Sequence, residues 1–555
     1  MHYAAPGFIR WSKASSSNKH DLSKDYVQSR IPRNTSSGYP YRRHCLPPRT
    51  PQLFHPNLTV EHLEKNGFFE LPSKTLSSTY LQVENRAKIA TLNHGLERVL
   101  ESPGVHYVRN PVTKEYNFSS YVGRLHHPSE IDYNLMPAFV TTSKDQKLHR
   151  LALSLSVRWK GSTSSVSNLL THIYHLWSNF RPTNLHNLSD YFQAQTARFP
   201  PSAHIPASVT LIPQDGIYSI DKYQPECKNT VLSDLGKSYE RMITMNQEMF
   251  EQAFLKSSCI QAKMSDQPEA YNYMNRGNFL LRSQLDCYDK QVGIFDLKSR
   301  ATNPIRIFPG DDPSLHINYR LSKLTGPTHS YEREFYDMIR SAFLRNIFQV
   351  RIGDMSGIFV AYHNTREIFG FEYLPLDEME QCVFQSKKMA DDAFDVSLKI
   401  LDLILDHAVG QFEPGTTLRL VIQAKPLLNK RCLHIFVEKV TNALQERLNL
   451  SDAVELYMSN FQCVELLRYY TLTLETVVNN RITLGHLNID ERDDVRTWAK
   501  IERVESSRDE QVKAYVRTLE ELYTSKGRKT PQKSVPLAEV PERELRWRRV
   551  RTTHM

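Results

Sequence analysis

Between about residues 230 and 375 the hydropathy of this chain switches repeatedly between two periods, and that switching restricts the fold more than any other feature. "SDLGKSYERMITMNQEMFEQAFL" has apolar residues at helical spacing, and "NFLLRSQLD" and "VGIFDLKSR" read as strands. "SYEREFYDMIRSAFLRNIFQVRI" returns to a long helical pattern, and "SGIFVAYH" and "EIFGFEYL" are strands again. A chain that runs helix, strand, strand, helix, strand, strand buries a sheet against helices. The expected class is therefore α/β, a mixed sheet flanked by helices.

The flanks read differently. "NHGLERVLESPGVHYVRNPVTKEYNF" opens an α+β N-terminal region over 85–228, with a short helix stopped at Pro103-Gly104. Within that region, "SSVSNLLTHIYHLWSNF" predicts an amphipathic helix with Leu169, Ile173, Leu176 and Phe180 on one stripe. "VTLIPQDGIYSIDKY" predicts two strands joined at Asp215-Gly216. Downstream come the apolar helix "AFDVSLKILDLILDHAVGQF" and the strands "TLRLVIQAKP" and "LHIFVEKV". A helical extension is expected over 446–525, with 450–482 and "DEQVKAYVRTLEELYTSK" as its helices, then a basic tail over 526–555.

Residues 1–60 are rich in Pro, Ser and Arg and have no apolar period, which predicts disorder. The first acid is Asp21, after Arg10, Lys13 and Lys19 and several serines. That is the composition of a mitochondrial transit segment. The net charge of +9 over 555 residues fits a polyanionic partner, nucleic acid or membrane surface, without requiring one. The seven cysteines are scattered and never form CxxC, which argues against a zinc site or a disulfide scaffold. No apolar run approaches the roughly 20 residues that span a bilayer, so membrane contact is expected only at the surface.

The chemistry concentrates in "LLRSQLDCYDKQVGIFDLKSRA", residues 280–301. Alternate strand residues share a face, so Asp296 and Lys298 project together. Arg282, Gln284 and Asp286 share a face of the preceding strand. Pairing through the "CYDKQ" turn would bring Asp286 near Asp296. Two close carboxylates repel unless a divalent cation lies between them, and Mg²⁺ suits one or two carboxylates plus a phosphate oxygen. Such a metal lowers the pKa of a bound water and polarises a phosphoryl oxygen. A neighbouring ammonium orients that water or neutralises charge at phosphorus. The same residues also suit a salt-bridged hairpin, worth about 0–1 kcal/mol if exposed.

Two further acid-x-Lys copies, Asp145-Gln-Lys147 and Glu226-Cys-Lys228, read as solvated surface. Upstream, Glu240 lies one helical turn after Gly236, a small residue that would let a helix approach a sheet edge and aim an acid at the metal. Downstream, Tyr336, Arg340 and Gln349 are polar candidates for phosphate contact at helical spacing. The histidines, His126-His127 included, are single or in loops and read mostly as surface. No Gly-rich phosphate loop, Ser-His-Asp context or RNA-recognition motif stands out.

A Gly-xxx-Glu helix, an Asp at a strand end, Asp-x-Lys on the next strand, then a helix and two strands resemble the PD-(D/E)XK nuclease superfamily. Leu285 stands where proline usually precedes the first Asp. The series "NHGLERVLESPGVHYV", "LGKSYERM", "GNFLLRSQLDCYD", "GIFDLKSRAT", "SYEREFYDMIRSAFLRN" and "GIFVAYHNTREIFGFEYL" is similar to the fungal mitochondrial Pet (one-two-seven) family over about 85–440. The resemblance implies a restriction-endonuclease-like core over 229–445. It implies a role in mitochondrial RNA processing and turnover, including 5′-end maturation, in the matrix at the periphery of the inner membrane.

On that reading Asp286, Asp296 and Glu240 hold Mg²⁺ (or Mn²⁺) and Lys298 positions the attacking water. Arg300, Arg340 and Gln349 contact RNA. The other reading is a non-catalytic RNA-binding partner of the mitochondrial RNA polymerase or of an RNA-degrading exonuclease, built on the same fold.

Overall fold

In the computed structural model of the chain, the structure describes residues 51–83, 86–222, 231–258, 269–307, 317–425, 431–440 and 466–524. Two sheets organise them. The larger has thirteen strands among the described residues. Its path runs Leu53–Phe54, Arg481–Leu484, Leu467–Val478, Cys432–Lys439, Leu418–Lys425, Ala207–Gln214, Ile217–Lys222, Trp159–Ser162, Phe279–Gln284, Tyr271–Arg276 and Ser78–Tyr80. Val495–Arg503 branches from Leu467–Val478 and pairs in turn with Phe69–Glu70. The smaller sheet runs Cys287–Asp289, Gly293–Ala301, Gly357–His363, Ile368–Pro375 and His106–Tyr107.

The mixed α/β class is as the periodicity requires. Gly293–Ala301 and Gly357–His363 are parallel, which needs a crossover, and the helices Tyr331–Ser341 and Phe343–Gly353 lie on it. The sheets do not follow the expected divisions of the chain. Strands from 159–222, 271–284, 418–439 and 467–503 share the larger sheet, and His106–Tyr107 joins the smaller.

Several expected elements differ. The helix 163–177, expected to be amphipathic, is buried on nearly all sides. It lies among the helices Phe343–Gly353 and Lys387–Gly410 and strands of the larger sheet, so a polar face has nowhere to meet water. The long helix expected over 330–352 is two helices, broken at Ala342 (φ −122°, ψ −38°). The break turns the second helix onto the strand Phe279–Gln284 and helix 163–177. The upstream helix is likewise two, Val231–Thr244 and Gln247–Phe254, because the Asn246 side chain caps the second by accepting from the Met249 N–H at 2.8 Å.

The helix expected across 450–482 is the strand Leu467–Val478 followed by Arg481–Leu484, while 450–465 lies outside the described residues. "LRYYTLTLETVV" is β-branched and aromatic, and two neighbours pair with it over nearly its whole length. The helix Arg508–Thr524 is present. Expected disorder to residue 60 runs too far, because Leu53–Phe54 pairs with Thr483–Leu484 and a helix starts at Val60. Of the expected transit segment over 1–60, residues 1–50 lie outside the described residues, as does the basic tail over 526–555. His126, His149, His172, His175 and His363 are buried rather than on the surface.

Candidate active site

The site is built on the strand Gly293–Ala301. Its odd residues Phe295 and Leu297 pack against Leu235, Tyr239 and Met242 of the helix Val231–Thr244. Its even residues Asp296, Lys298 and Arg300 stand beside Ile358, Val360 and Tyr362 of the parallel neighbour. Those three belong to the core shared with the helices 331–341 and 343–353. Strand alternation therefore turns Asp296, Lys298 and Arg300 toward the crossover helices, as the sequence pattern predicts.

Asp286 arrives by a different route from the expected one. The strand Phe279–Gln284 does not pair with the site strand; it belongs to the larger sheet. The short strand Cys287–Asp289 forms the hairpin, with Cys287 opposite Phe295 and Asp289 opposite Gly293. The Asp289 carboxylate accepts from the N–H groups of Gln291 and Val292, and Gly293 supplies the positive φ (85°) that the turn needs. Asp286 is the residue where the chain crosses between sheets. Its Oδ2 accepts the Leu297 N–H at 3.0 Å, standing in for a missing ladder partner on that edge of the strand.

The charges are strongly interdependent. Lys298 Nζ lies 2.5 Å from Asp296 Oδ2, with the Lys298 side chain about a third exposed and Asp296 nearly buried. Burial acts to raise the Asp296 pKa, but Lys298 and a hydrogen bond from Asp286 outweigh it and hold Asp296 ionised. Burial, then the charges of Asp296 and Glu240, push Asp286 well above the usual carboxylate range. Glu240 is raised to about 7, first by burial, with Lys298 opposing and Asp296 adding to the rise. Burial acts to lower the Lys298 pKa, but Asp296 and Asp286 prevail and keep it a cation.

Glu240 thus joins the two aspartates, as the upstream helix pattern anticipates. The role expected of Gly236 differs: an added Cβ would meet Ser299 Oγ at 3.7 Å, an ordinary contact, so glycine is not needed for the approach.

The other sequence candidates divide. Arg300 is nearly buried and gives its Nε to Glu334 at 3.2 Å, so it is held inward rather than presented to a phosphate. Tyr336 is buried and donates to the Thr196 carbonyl at 2.9 Å, which is a packing role. Arg340 stacks over that ring at 4.7 Å and donates to the Arg198 carbonyl. Gln349 has a buried Oε1 without a hydrogen-bond partner among the described residues. Asp145 is not solvated surface, because it caps a helix and pairs with the buried Arg282. Glu226-Cys-Lys228 lies outside the described residues.

Two residues near the cluster carried no assignment from sequence. Glu269 adds to the rise of the Glu240 pKa and is held by Arg241, with Gln284 at 3.4 Å. Arg345 has Asp296 as its charged neighbour. Its signal in the sequence is the four-residue spacing to Gln349, one helical turn.

Among the described residues no group of three His, Cys, Asp or Glu side chains is already arranged as a metal cage. The donor set nevertheless suits a divalent cation. Two carboxyl groups close enough to hydrogen-bond, with a third nearby, crowd around a single ammonium. A cation would offset both the burial and the mutual repulsion that raise the Asp286 and Glu240 pKa values.

The helix, hairpin and parallel strand that carry the acid–acid-x-Lys set belong to a mixed α/β protein of two sheets flanked by helices. Residues 139–406 match the family described as "Mitochondrial protein Pet127". The chain is 31% identical over 391 residues to "mRNA degradation protein pet127, mitochondrial" of Schizosaccharomyces pombe, covering 69% of this chain and 74% of that protein. It is 34% identical over 325 residues to "Putative mitochondrial translation system component PET127" of Saccharomyces cerevisiae, covering 55% of this chain and 39% of that protein. The chain belongs to the Pet127 family.

Among solved structures it is similar to Candida albicans Rai1 in complex with pU5-Mn²⁺, with a TM-score of 0.31 and 11% identity over 69% of this chain and 95% of that chain. Rai1 of Scheffersomyces stipitis, in complex with (3′-NADP)⁺ and calcium ion, gives a TM-score of 0.30 and 11% identity over 67% of this chain and 95% of that one.

Proposed function

We propose that the protein is a divalent-metal-dependent phosphodiesterase that processes or degrades RNA in mitochondria, 5′-end maturation included. The observation that carries this reading is the meeting of Asp286, Asp296, Glu240 and Lys298 at one strand edge from three separate elements. A salt-bridged hairpin requires only one acid; three acids sharing one ammonium make a costly cluster that a purely structural role does not explain. The names of the two relatives support the mitochondrial RNA setting.

Asp286 and Asp296, with Glu240, would hold Mg²⁺ or Mn²⁺. The metal supplies Lewis-acid polarisation of the phosphate and an acidified water. Lys298 stays protonated beside Asp296, so its part is to orient a water or to neutralise charge at phosphorus rather than to act as a resting base. The site strand and the two sheets hold these groups rigid, which positions them in advance of substrate.

We place the protein in the matrix, at the inner-membrane surface, in keeping with its basic charge; the relatives' names support the mitochondrion, and no described helix is long and apolar enough to cross a membrane. One observation favours the non-catalytic reading, an RNA-binding partner of the polymerase or of an exonuclease: Lys298 is already paired with Asp296. End-labelled RNA incubated with the protein and Mg²⁺ or Mn²⁺ decides between them. Cutting is expected, with at least a hundredfold loss in Lys298→Ala and RNA binding retained; equal cutting by the variant sinks the catalytic assignment.

A further inference from the structure

The acids at the site pose a problem for any RNA substrate. Glu240, Asp286, Asp296 and Glu269 lie around one centre, and their cations are engaged. Lys298 is on Asp296, and Arg241 is on Glu269. Arg300 and Arg306 are on Glu334, and Arg333 is on Asp337. A phosphate entering this centre needs a positive group that is not already neutralised.

Arg345 is that group. It stands on the first turn of the helix Phe343–Gly353, which covers the Asp296 face of the site strand. It is exposed, with no hydrogen bond or ion pair among the described residues. Surrounding atoms nonetheless act to lower its pKa, with Asp296 opposing. Arg345 is thus an exposed cation on the helix beside the acidic centre.

One turn on, the Gln349 Oε1 is buried without a partner among the described residues. One turn further, Gly353 closes onto the strand leading to Asp286, where an added Cβ would lie 2.8 Å from Ser283 Oγ. Arg345, Gln349 and Gly353 therefore form one stripe along the wall of the site.

We propose that Arg345 binds a backbone phosphate of single-stranded RNA beside this centre, next to the linkage to be cut. This rests on the functional reading above and adds the residue that makes an acidic centre tolerate a polyanion. The guanidinium presents parallel N–H donors that match phosphate oxygens, which an ammonium does not.

The test is binding of a short single-stranded RNA by the full chain, read by fluorescence anisotropy. Ca²⁺ replaces Mg²⁺, and gels verify that the RNA stays intact. One linkage at a time is made a charge-neutral methylphosphonate. Neutralising the contacted linkage is expected to weaken binding by about tenfold, and Arg345→Ala to weaken binding of unmodified RNA by about the same factor. In Arg345→Ala the neutral linkage should cause no further loss, and the slope of log K against log salt should shrink by about 0.7. Arg345→Lys should recover the salt slope and only part of the affinity.

Equal sensitivity to every neutral linkage in the unaltered protein and in Arg345→Ala overturns the proposal. If the protein cuts RNA and that coupling is missing, Arg345 is wrong and the nuclease reading stands. If the coupling appears and no metal supports cutting, Arg345 binds RNA on a non-catalytic protein.

Discussion

Glu334→Gln isolates the ion network that anchors the site strand to the crossover helix. Glu334 is 1% exposed. Its carboxylate takes Arg300 Nε at 3.2 Å, Arg306 Nη2 at 2.5 Å and the Asn303 N–H at 2.6 Å. Glutamine keeps the shape and one acceptor but turns an amide NH₂ toward a guanidinium. Arg306 retains Asp337 at 3.2 Å, whereas nearly buried Arg300 loses its ion-pair partner.

Breaking one side of a buried pair costs about 3–5 kcal/mol, and the surviving Asn303 and Arg306 contacts place this case near ~3 kcal/mol. Against a total stability of about 5–15 kcal/mol, that is a large fraction. Urea unfolding followed by tryptophan fluorescence measures it, because Trp159 and Trp177 are buried in the main core. In the double variant Arg300→Met, Glu334→Gln, the uncompensated charge is gone, and at least ~1 kcal/mol should return. A loss under ~1 kcal/mol in the single variant, or strictly additive losses in the double, refutes the reasoning.

Two glycines separate close approach from mere smallness. Gly357→Ala places a Cβ 2.3 Å from the Leu374 carbonyl oxygen, so thermal stability should fall by about 1–3 kcal/mol or more and disturb the strand beside Asp296. Gly236→Ala meets only Ser299 Oγ at 3.7 Å and should leave both melting temperature and RNA cutting within error of the unaltered protein. Glu475, raised by burial from the ordinary 4.5 to about 7 with Arg431 opposing, gives a pH signature. Its folded state prefers the protonated form. The associated stability is complete below about pH 4.5 and is lost as pH rises through about 7. Glu475→Gln should therefore raise the melting temperature at pH 8 and not at pH 4.5; an equal shift at both pH values counts against burial as the cause.

Local pattern carried much of the architecture. The alternation of "GIFDLKSRA" placed Asp296 and Lys298 on one face because a strand's side-chain period is two. The Asp215-Gly216 hairpin was legible because both residues take positive φ (51° and 80°), which that dipeptide favours. The strand Leu467–Val478 carries a signal too, in its β-branched and aromatic residues. The break at Ala342 had no such signal; it comes from where the second helix packs.

The residues of one strand and one turn, then, decided which groups have acid, base and charge chemistry, and on which face Asp296 and Lys298 stand. Tertiary structure decided the rest. It made Asp286 a crossing point between two sheets, turned Arg300 inward onto Glu334, and brought Glu240, Glu269 and Arg345 to the same centre. Alternation is a property of consecutive backbone units and is written in neighbouring residues. The meeting of groups far apart in the chain depends on how two sheets and their helices pack, and no local period encodes that.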